Sequence, residues 1–389
     1  MLRLVALTAQ VSVMGLAAYN AITALWGWKD RQPSPPGPRS RRLRIVIPAH
    51  DEEAVIGGIL EDLEKSQHRE KQVWILADRC QDSTAEVARA AGVRVAERSE
   101  GAVGKGAAIA WYLSSHPLDE GETLVVFDAD NRVPSDTLTR IADELDAGHD
   151  VVQCYLDVAN PYNTLVTEAS ALSYWAGNRM VQLARSNLGW SADLGGTGMA
   201  LTSEALASVG GFTDSLTEDQ DLGVRLLLAG RRVEWLHDVR IRDEKPESLG
   251  VAIRQRARWM AGKRRVMRRY FLPLLSTGRP AALDQALRLV QPGRSFVGLV
   301  SGLLTVLAVT TRSDWLVPWP AWAAVTAVQF LEPIPFLAKD GVPASRLLRY
   351  PVLALLAALW IPVRVISSRS GGWYHTPHGA NAENDEGAS

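Results

Sequence analysis

The chain has 389 residues, long enough to bury a large core, and its 42 Lys and Arg nearly balance 43 Asp and Glu, so no global charge points to a nucleic-acid partner. Its two cysteines, Cys80 and Cys154, show neither CxxC nor Cys/His spacing, which argues against a disulfide framework or zinc site and suits a reducing compartment.

The first element is an uncharged run from Leu4 to Trp28. A helix of about 25 residues at ~1.5 Å per residue crosses a bilayer core of roughly 30 Å, so residues 1–28 read as a transmembrane anchor. A cleaved signal peptide is the alternative, but the run outlasts an ordinary signal core and ends in Trp26 and Trp28, which suit an interfacial belt. Lys29, Arg31, Arg39, Arg41, Arg42 and Arg44 follow it, against Arg3 alone before it, placing the body in the cytoplasm by the positive-inside rule. Residues 29–43 form a Pro-rich basic linker, and Gln32–Pro38 predicts a stiff spacer.

The body spans residues 44–270. Arg44–Pro48, Gln72–Ala77, Val93–Ala96 and Thr123–Phe127 read as strands, alternating with helix-like stretches such as Glu52–Lys65 and Ser83–Ala91. Ser83 and Glu86 have capping-box spacing, and Pro134 suits the first turn of the next helix. The alternation predicts an α/β fold, a mostly parallel sheet flanked by helices, with ligands at the carboxyl ends of the strands. Asn163–Asn187 predicts one long helix and Glu218–Ala229 another, closed by Gly230.

Residues 271–368 read as a second membrane region, where Phe296–Thr311 and Leu316–Leu331 are separated by Arg312 and Asp314, the pattern of a tight hairpin. Tyr350–Ile366, broken by Pro362 and Arg364, suits an interfacial segment, and Lys339, Arg346 and Arg349 before it favour the cytoplasmic side. Residues 369–389 form a polar tail, disordered by composition after Gly379.

Several motifs carry chemistry. Val125-Val-Phe-Asp128-Ala-Asp130 sets two carboxylates just after an apolar strand, where they suit Mg²⁺ or Mn²⁺ and, through it, a diphosphate. A solvated turn explains two such acids when they stand alone; their place after a buried strand favours the metal, with no basic side chain expected to replace it. Gly101-Ala-Val-Gly104-Lys105-Gly106 lacks the Walker spacing and the Ser/Thr after Lys, which argues against an ATPase. Further motifs are Ile47-Pro-Ala-His50-Asp-Glu52-Glu53, Ile75-Leu-Ala-Asp78, Gly195-Gly196-Thr197-Gly198, Thr217-Glu218-Asp219 and Gln255-Arg-Ala-Arg258-Trp259. On a helix Gln255, Arg258 and Trp259 fall at i, i+3 and i+4, which predicts that they face one way, with the basic residues around them on another side. Capping, surface acidity and an amphipathic basic helix on anionic lipid are the structural alternatives for these residues.

Across Arg44–Arg264 this set resembles the family-2 inverting glycosyltransferases of the GT-A fold, particularly the membrane synthases of β-linked polysaccharides. The resemblance implies a donor pocket with His50, in place of the commoner Tyr, and Glu52 beside the nucleotide, Asp78 accepting the imide N–H of uracil, and Lys105 and Arg258 on the diphosphate. It implies Asp128 and Asp130 as metal ligands and Asp219 as the general base that deprotonates the acceptor hydroxyl. Gly196, Thr197, Glu218, Gln255 and Trp259 would serve the acceptor, the indole by stacking on a sugar ring. Trp373-Tyr-His-Thr376 is similar to a C-terminal segment of such synthases, without an assigned role.

The expected function is transfer from a nucleotide-diphosphate sugar, UDP by virtue of Asp78, to a growing glycan at a multi-pass cell-membrane site whose catalytic domain is cytoplasmic. Single transfer to a lipid or polyprenyl phosphate and a non-catalytic nucleotide-binding module are the alternatives. Membrane lipid is a partner in each reading, and with few spans for a self-contained channel, polymer export would fall to a homo-oligomer or a separate partner.

Overall fold

A computed structural model describes residues 1–356; the polar tail, the Trp373–Thr376 segment and most of the Tyr350–Ile366 run lie outside the described residues. Seven strands, β1 (Leu43–Ala49), β2 (Lys71–Asp78), β3 (Arg94–Arg98), β4 (Thr123–Val126), β5 (Val151–Val158), β6 (Met199–Thr202) and β7 (Glu234–Asp243), form one sheet in the order β3-β2-β1-β4-β6-β5-β7. β2 pairs parallel with β1 and β3, β4 with β1 and β7 with β5, whereas β6 runs antiparallel to β4 and β5. This is the mostly parallel α/β sheet expected. Its pleat sorts side chains by period two: Ile45 and Ile47 enter one core layer and Val46 the other. Because β6 is reversed, the loop before it reaches the same edge as the loops after β1, β2 and β4. Gly198 N donates to Val126 O at 2.9 Å to fix it there.

The helices include α1 (Leu2–Ala24), α2 (Ile56–Glu64), α3 (Thr84–Ala90), α4 (Lys105–Ser115), α5 (Thr137–Asp146), α6 (Leu165–Gly177), α7 (Ala184–Asn187), α8 (Ser203–Ala207), α9 (Glu218–Leu228), α10 (Leu249–Ser276), α11 (Pro280–Val290), α12 (Arg294–Thr311) and α13 (Trp319–Leu331), with three short helices after α13. Three expectations need correction. The helix expected from Glu52 starts at Ile56, because Asp51 takes a left-handed φ of 55° and the Glu52 carbonyl accepts from Val55 and Ile56 in a turn. The Ser83–Glu86 capping box does not form: Ser83 makes no side-chain cap bond, and its amide donates instead to Glu53 Oε2 at 2.8 Å. Pro134 lies in the turn ahead of α5, where its carbonyl accepts from the Thr137 amide at 3.1 Å.

The long helix expected from Asn163 is continuous in course but passes through a π-helical turn, Asn178–Leu183, between α6 and α7. That turn turns Arg179 toward the end of the N-terminal helix, where its guanidinium donates to Gly27 O at 3.0 Å and Asp30 at 2.8 Å and also reaches Asp340. The Pro-rich linker is not a free spacer. Ser34 N donates to Glu144 at 2.9 Å, Gly37 N to Asp143 at 2.8 Å and Arg41 to Asp146 at 2.8 Å, strapping residues 34–41 along α5.

Three helical stretches, Leu2–Trp28, Arg294–Thr311 and Trp319–Lys339, are long and apolar enough to cross a membrane. Arg3 and Gln10 of α1 bond to the α12–α13 loop at Asp314 O (3.0 Å) and Trp315 O (2.8 Å). The other end of α1 meets α11, with Tyr19 donating to Asp284 at 2.8 Å. A Cβ at Gly27 would overlap the Arg179 carbonyl oxygen, which is backbone and cannot turn aside. Gly27→Ala is therefore expected to lower stability by about 1–3 kcal/mol, as overpacking does, measured by chemical denaturation in detergent.

Candidate active site

The loops after β1 and β2 form one side of the site. His50 Nδ1 donates to the Asp78 carbonyl oxygen at 2.7 Å, and the Asp78 carboxylate accepts from Arg79 at 2.8 Å with Arg98 Nη1 3.6 Å away. Burial holds the Asp78 carboxyl above its ordinary range despite those arginines, and Arg98 Nη1 is buried without a hydrogen-bond partner among the described residues. Sequence reasoning missed Arg98, whose place at the end of β3 carries no motif.

The acids after β4 are set by their backbone. Asp128 N donates to Thr197 Oγ1 at 3.0 Å and Asn131 Oδ1 at 3.1 Å, and the Thr197 hydroxyl donates to the same fully buried Asn131. Thr197 is thus a brace for the acid loop, and Asn131, one residue beyond the expected acids, is its unforeseen partner. Gly196 turns at φ 82° and lends its carbonyl to Lys105 Nζ at 2.7 Å; the same ammonium bonds Asp128. The acids therefore do have a basic neighbour, contrary to expectation, supplied by the first residue of α4 from far away in sequence.

Burial, then Asp128, Asp243 and Glu52, drive the Asp130 carboxyl well above its ordinary value against only Lys245. Lys105 and Lys245 bond two of these acids, Asp128 and Asp243, yet the charge gathered around Asp130 still raises it, which fits a divalent ion better than it fits a solvated turn. Among the described residues, a tighter triad of candidate ligands is Asp51, Cys80 and Asp82. Its carboxylate oxygens already accept from the amides of Gln81 (2.7 Å), Glu53 (2.9 Å) and Thr84 (3.0 Å), so they shape the loop.

Glu218 and Asp219 open α9 on the other side of Lys105. Burial and the Asp219 charge push Glu218 up to about 7 against Lys105 and Arg258. Burial also raises Asp219, opposed by the Gln220 amide, Lys105 and Arg258. Lys105 itself is lowered by burial but raised more by Asp128, Glu218 and Asp219, so it stays an ammonium. Two glycines permit this packing: a Cβ at Gly106 would stand 2.6 Å from Glu218 Cβ, and one at Gly262 of α10 would stand 2.6 Å from Thr217 Oγ1. The close approach at Gly262 brings Arg258, one turn earlier, within electrostatic reach of both acids, and its Nε is buried without a hydrogen-bond partner.

Beside the acid pair opens a cavity of about 780 Å³ between α1, α6, α10 and α12, reaching in to Asp193 and Gln220. Trp259 lines it together with Arg256, Met260 and Lys263, whereas Gln255 and Arg258 are not among the lining residues. The Gln-x-x-Arg-Trp residues therefore do not all face one way, and Trp259 shares its side with two cations. Asp193, which the sequence did not single out, pairs with Arg288 and adds its charge to that at Asp219.

Residues 38–262 match the model described as glycosyltransferase like family 2. The chain belongs to that family. It is 32% identical over 234 residues to a beta-monoglucosyldiacylglycerol synthase of Trichormus variabilis, covering 57% of this chain and 48% of that protein. It is 29% identical over 164 residues to a probable glucomannan 4-beta-mannosyltransferase 3 of Arabidopsis thaliana, covering 41% of this chain and 30% of that one. The chain thus spans about half the length, or less, of these curated relatives. In fold it is similar to the mannosyltransferase PcManGT from Pyrobaculum calidifontis, solved with GDP-Man and Mn²⁺, with a TM-score of 0.56 over 95% of both chains at 20% identity.

The raised acid pair makes a pH prediction for this family-2 member. As pH falls through about 7 Glu218 takes up a proton, and a rate that depends on its charge falls with it. Glu218→Gln, neutral at every pH, should remove that limb and hold the rate near the level wild type has below about pH 7. The same shift sets a stability sign: wild type loses stability as pH rises from the ordinary Glu range through about 7, so Glu218→Gln should unfold at a higher temperature than wild type only on the alkaline side.

Proposed function

We propose that the chain transfers one sugar from a nucleotide-diphosphate donor to a hydroxyl on a lipid-borne acceptor, with inversion, at the cytoplasmic face of the membrane. The observation that carries this is the pairing, in one cleft, of a carboxyl with a raised pKa, Asp219, and a buried arginine donor without a hydrogen-bond partner among the described residues, Arg258 Nε. Asp219 takes the acceptor proton, which a carboxylate does better as its pKa approaches the working pH. Arg258 and Lys105 meet the negative charge that builds on the departing diphosphate. Asp78 and the Arg98 donor face the base, the former accepting an imide N–H and the latter reaching a carbonyl, which favours a uracil nucleotide. His50 and Glu52 complete the donor side.

Asp128 and Asp130 would hold Mg²⁺ or Mn²⁺, which when bound neutralises the diphosphate as a Lewis acid. A cation held there would offset the charge gathered by Asp128, Asp130, Asp243 and Glu52, and Lys105, which bonds Asp128, belongs to the same cluster and can meet the diphosphate.

A lipid acceptor is supported by the cavity between the acid pair and the apolar helices, and by relatives named for diacylglycerol glycosylation. Polymer synthesis is the second reading, favoured by the Gln255, Arg258 and Trp259 motif and by relatives named for glucomannan synthesis. Glu218 and Trp259 serve the acceptor side in both, whereas Thr197 braces the acid loop and Gly196 holds Lys105, and an export partner or homo-oligomer belongs only to the second.

Supplying the full chain in nanodiscs with labelled UDP- and GDP-sugars and a membrane-lipid extract should yield lipids heavier by one sugar. Long glycans by mass spectrometry would replace this reading with the second, and no nucleotide release with any donor would leave only a binding module. Asp219→Asn should slow transfer by about 10²- to 10⁴-fold with nucleotide affinity within a few-fold of wild type. Excess chelator should stop turnover and weaken nucleoside diphosphate binding, measured calorimetrically; full turnover in chelator would remove the metal from the scheme.

A further inference from the structure

We infer that α10 and α11 form a hairpin that lies on the cytoplasmic leaflet of the membrane, with its exposed leucines at the acyl boundary and its arginines on anionic headgroups. This rests on the membrane reading of α1 and α12 and goes beyond it, assigning a lipid-facing surface outside the spans and the charge of the lipid it takes.

The position of the hairpin follows from chain continuity. α11 ends at Val290, and the apolar helix α12 begins four residues later at Arg294. Asn20 of α1 donates to Gln291 at 3.0 Å, and Tyr19 of α1 donates to Asp284 of α11 at 2.8 Å. α11 is therefore held at the level where two apolar helices meet the body of the protein. The second half of α10 comes with it, because Val266, Tyr270 and Leu274 share one buried cluster with Ala282, Ala286 and Leu289 of α11.

What the hairpin leaves outside is neither a plain soluble surface nor a plain core face. The inner side of α11 is occupied, with Asp284 holding Arg185 at 3.2 Å and Arg288 at 2.9 Å. Its outer side carries Leu283, Leu287 and Val290 at i, i+4 and i+7, one strip on which Leu283 is 41% and Val290 46% exposed. On α10, Arg265, Arg268, Arg269, Leu272 and Leu275 fall within about 120° of one another around the helix axis. All five are exposed, Leu272 by 71%. Water solvates the arginines and gains nothing from the leucines, whereas a protein core takes leucines but not bare guanidinium groups. The boundary between headgroups and acyl chains accepts both.

The sign of the lipid follows from the charges. From Leu249 to Ser276 the helix carries eight Lys and Arg and no Asp or Glu. Among the described residues no acid pairs with Arg265 or Arg268, and Arg269 rests over the ring of Tyr270, 5.2 Å from its centroid. Each such cation near an anionic leaflet favours binding by roughly fivefold. A second copy of the chain docked through this face would set the same three arginines against them, and like charges across an interface disfavour it.

The first arm of the test measures depth. A nitroxide is placed at Leu272→Cys, at Leu283→Cys or, as a control in the proposed span, at Val11→Cys, each in the full chain carrying Cys80→Ser, in nanodiscs of phosphatidylcholine and phosphatidylglycerol. Oxygen, which enters lipid, should reach all three labels better than a nickel chelate, which stays in water. Nickel access at positions 272 and 283 with oxygen access at position 11 would overturn the inference and keep the spans. Nickel access at all three would remove the membrane reading itself. Spin–spin broadening at position 272 would mark an interface between copies and also overturn the inference. The second arm measures charge, by titrating the detergent-solubilised chain with phosphatidylglycerol or phosphatidylcholine of identical acyl chains and counting bound lipid by native mass spectrometry. The phosphatidylglycerol should bind about 10-fold tighter or more. The triple variant Arg265→Gln, Arg268→Gln and Arg269→Gln should bring the two lipids within about threefold, while retained nucleotide binding reports that it is folded. Equal binding of the two lipids by wild type, or a preference that survives in the triple variant, would overturn the inference.

Discussion

The site depends on holding negative charge together where water cannot dilute it. Asp128, Asp130, Glu218 and Asp219, joined by Glu52 and Asp243, converge on one edge of a sheet, and a single ammonium, Lys105, joins the two groups. Each half comes from a different part of the chain, the first from the end of β4 and the second from the start of α9. Neither would be stable at that spacing alone. The close packing at Gly106, the turn at Gly196 and the brace of Asn131 and Thr197 all serve to bring that ammonium and those carboxylates to one point.

The long helix α10 then divides the site. Successive residues of a helix point about 100° apart, so Arg258 addresses the acids while Trp259 turns into the cavity. In the proposed scheme one side of the helix would handle the charged donor and the next the acceptor, and the absence of a side chain at Gly262 lets α10 press onto Thr217. A bulkier residue there would then shift both sets of contacts together.

Much of this was legible in the sequence, and the boundary is physical. Short β-branched and apolar runs marked β1, β2, β3 and β4 to within a residue or two, and the fold class itself directs attention to the residues that follow parallel strands. What stayed hidden depends on partners far away in the chain. No local pattern pairs Lys105 with Asp128, sets Arg98 beside Asp78 or brings Asp193 close to Asp219. The apparent capping box at Ser83 lost to a tertiary acceptor, Glu53, and the prolines of residues 32–38 suggested a stiff spacer without showing that Ser34, Gly37 and Arg41 bond to acids of α5. Trp259 lines the cavity with Arg256 and Lys263 rather than with Gln255 and Arg258, since helical spacing alone does not say which face meets which surface.

The strapped linker and the Arg179 contacts also govern how the body sits relative to its anchor. Arg179 joins the end of the N-terminal helix to Asp340, beyond α13, while residues 34–41 lie fixed on α5, so the chain has no slack between membrane and sheet. An anchor built this way is a jig rather than a leash. With α1 across a bilayer, as proposed, it would fix the depth at which the cleft meets the membrane, and reach would then be something the acceptor must supply: a molecule whose hydroxyl sits at that depth would be in register, and one a few ångströms shorter or longer would not.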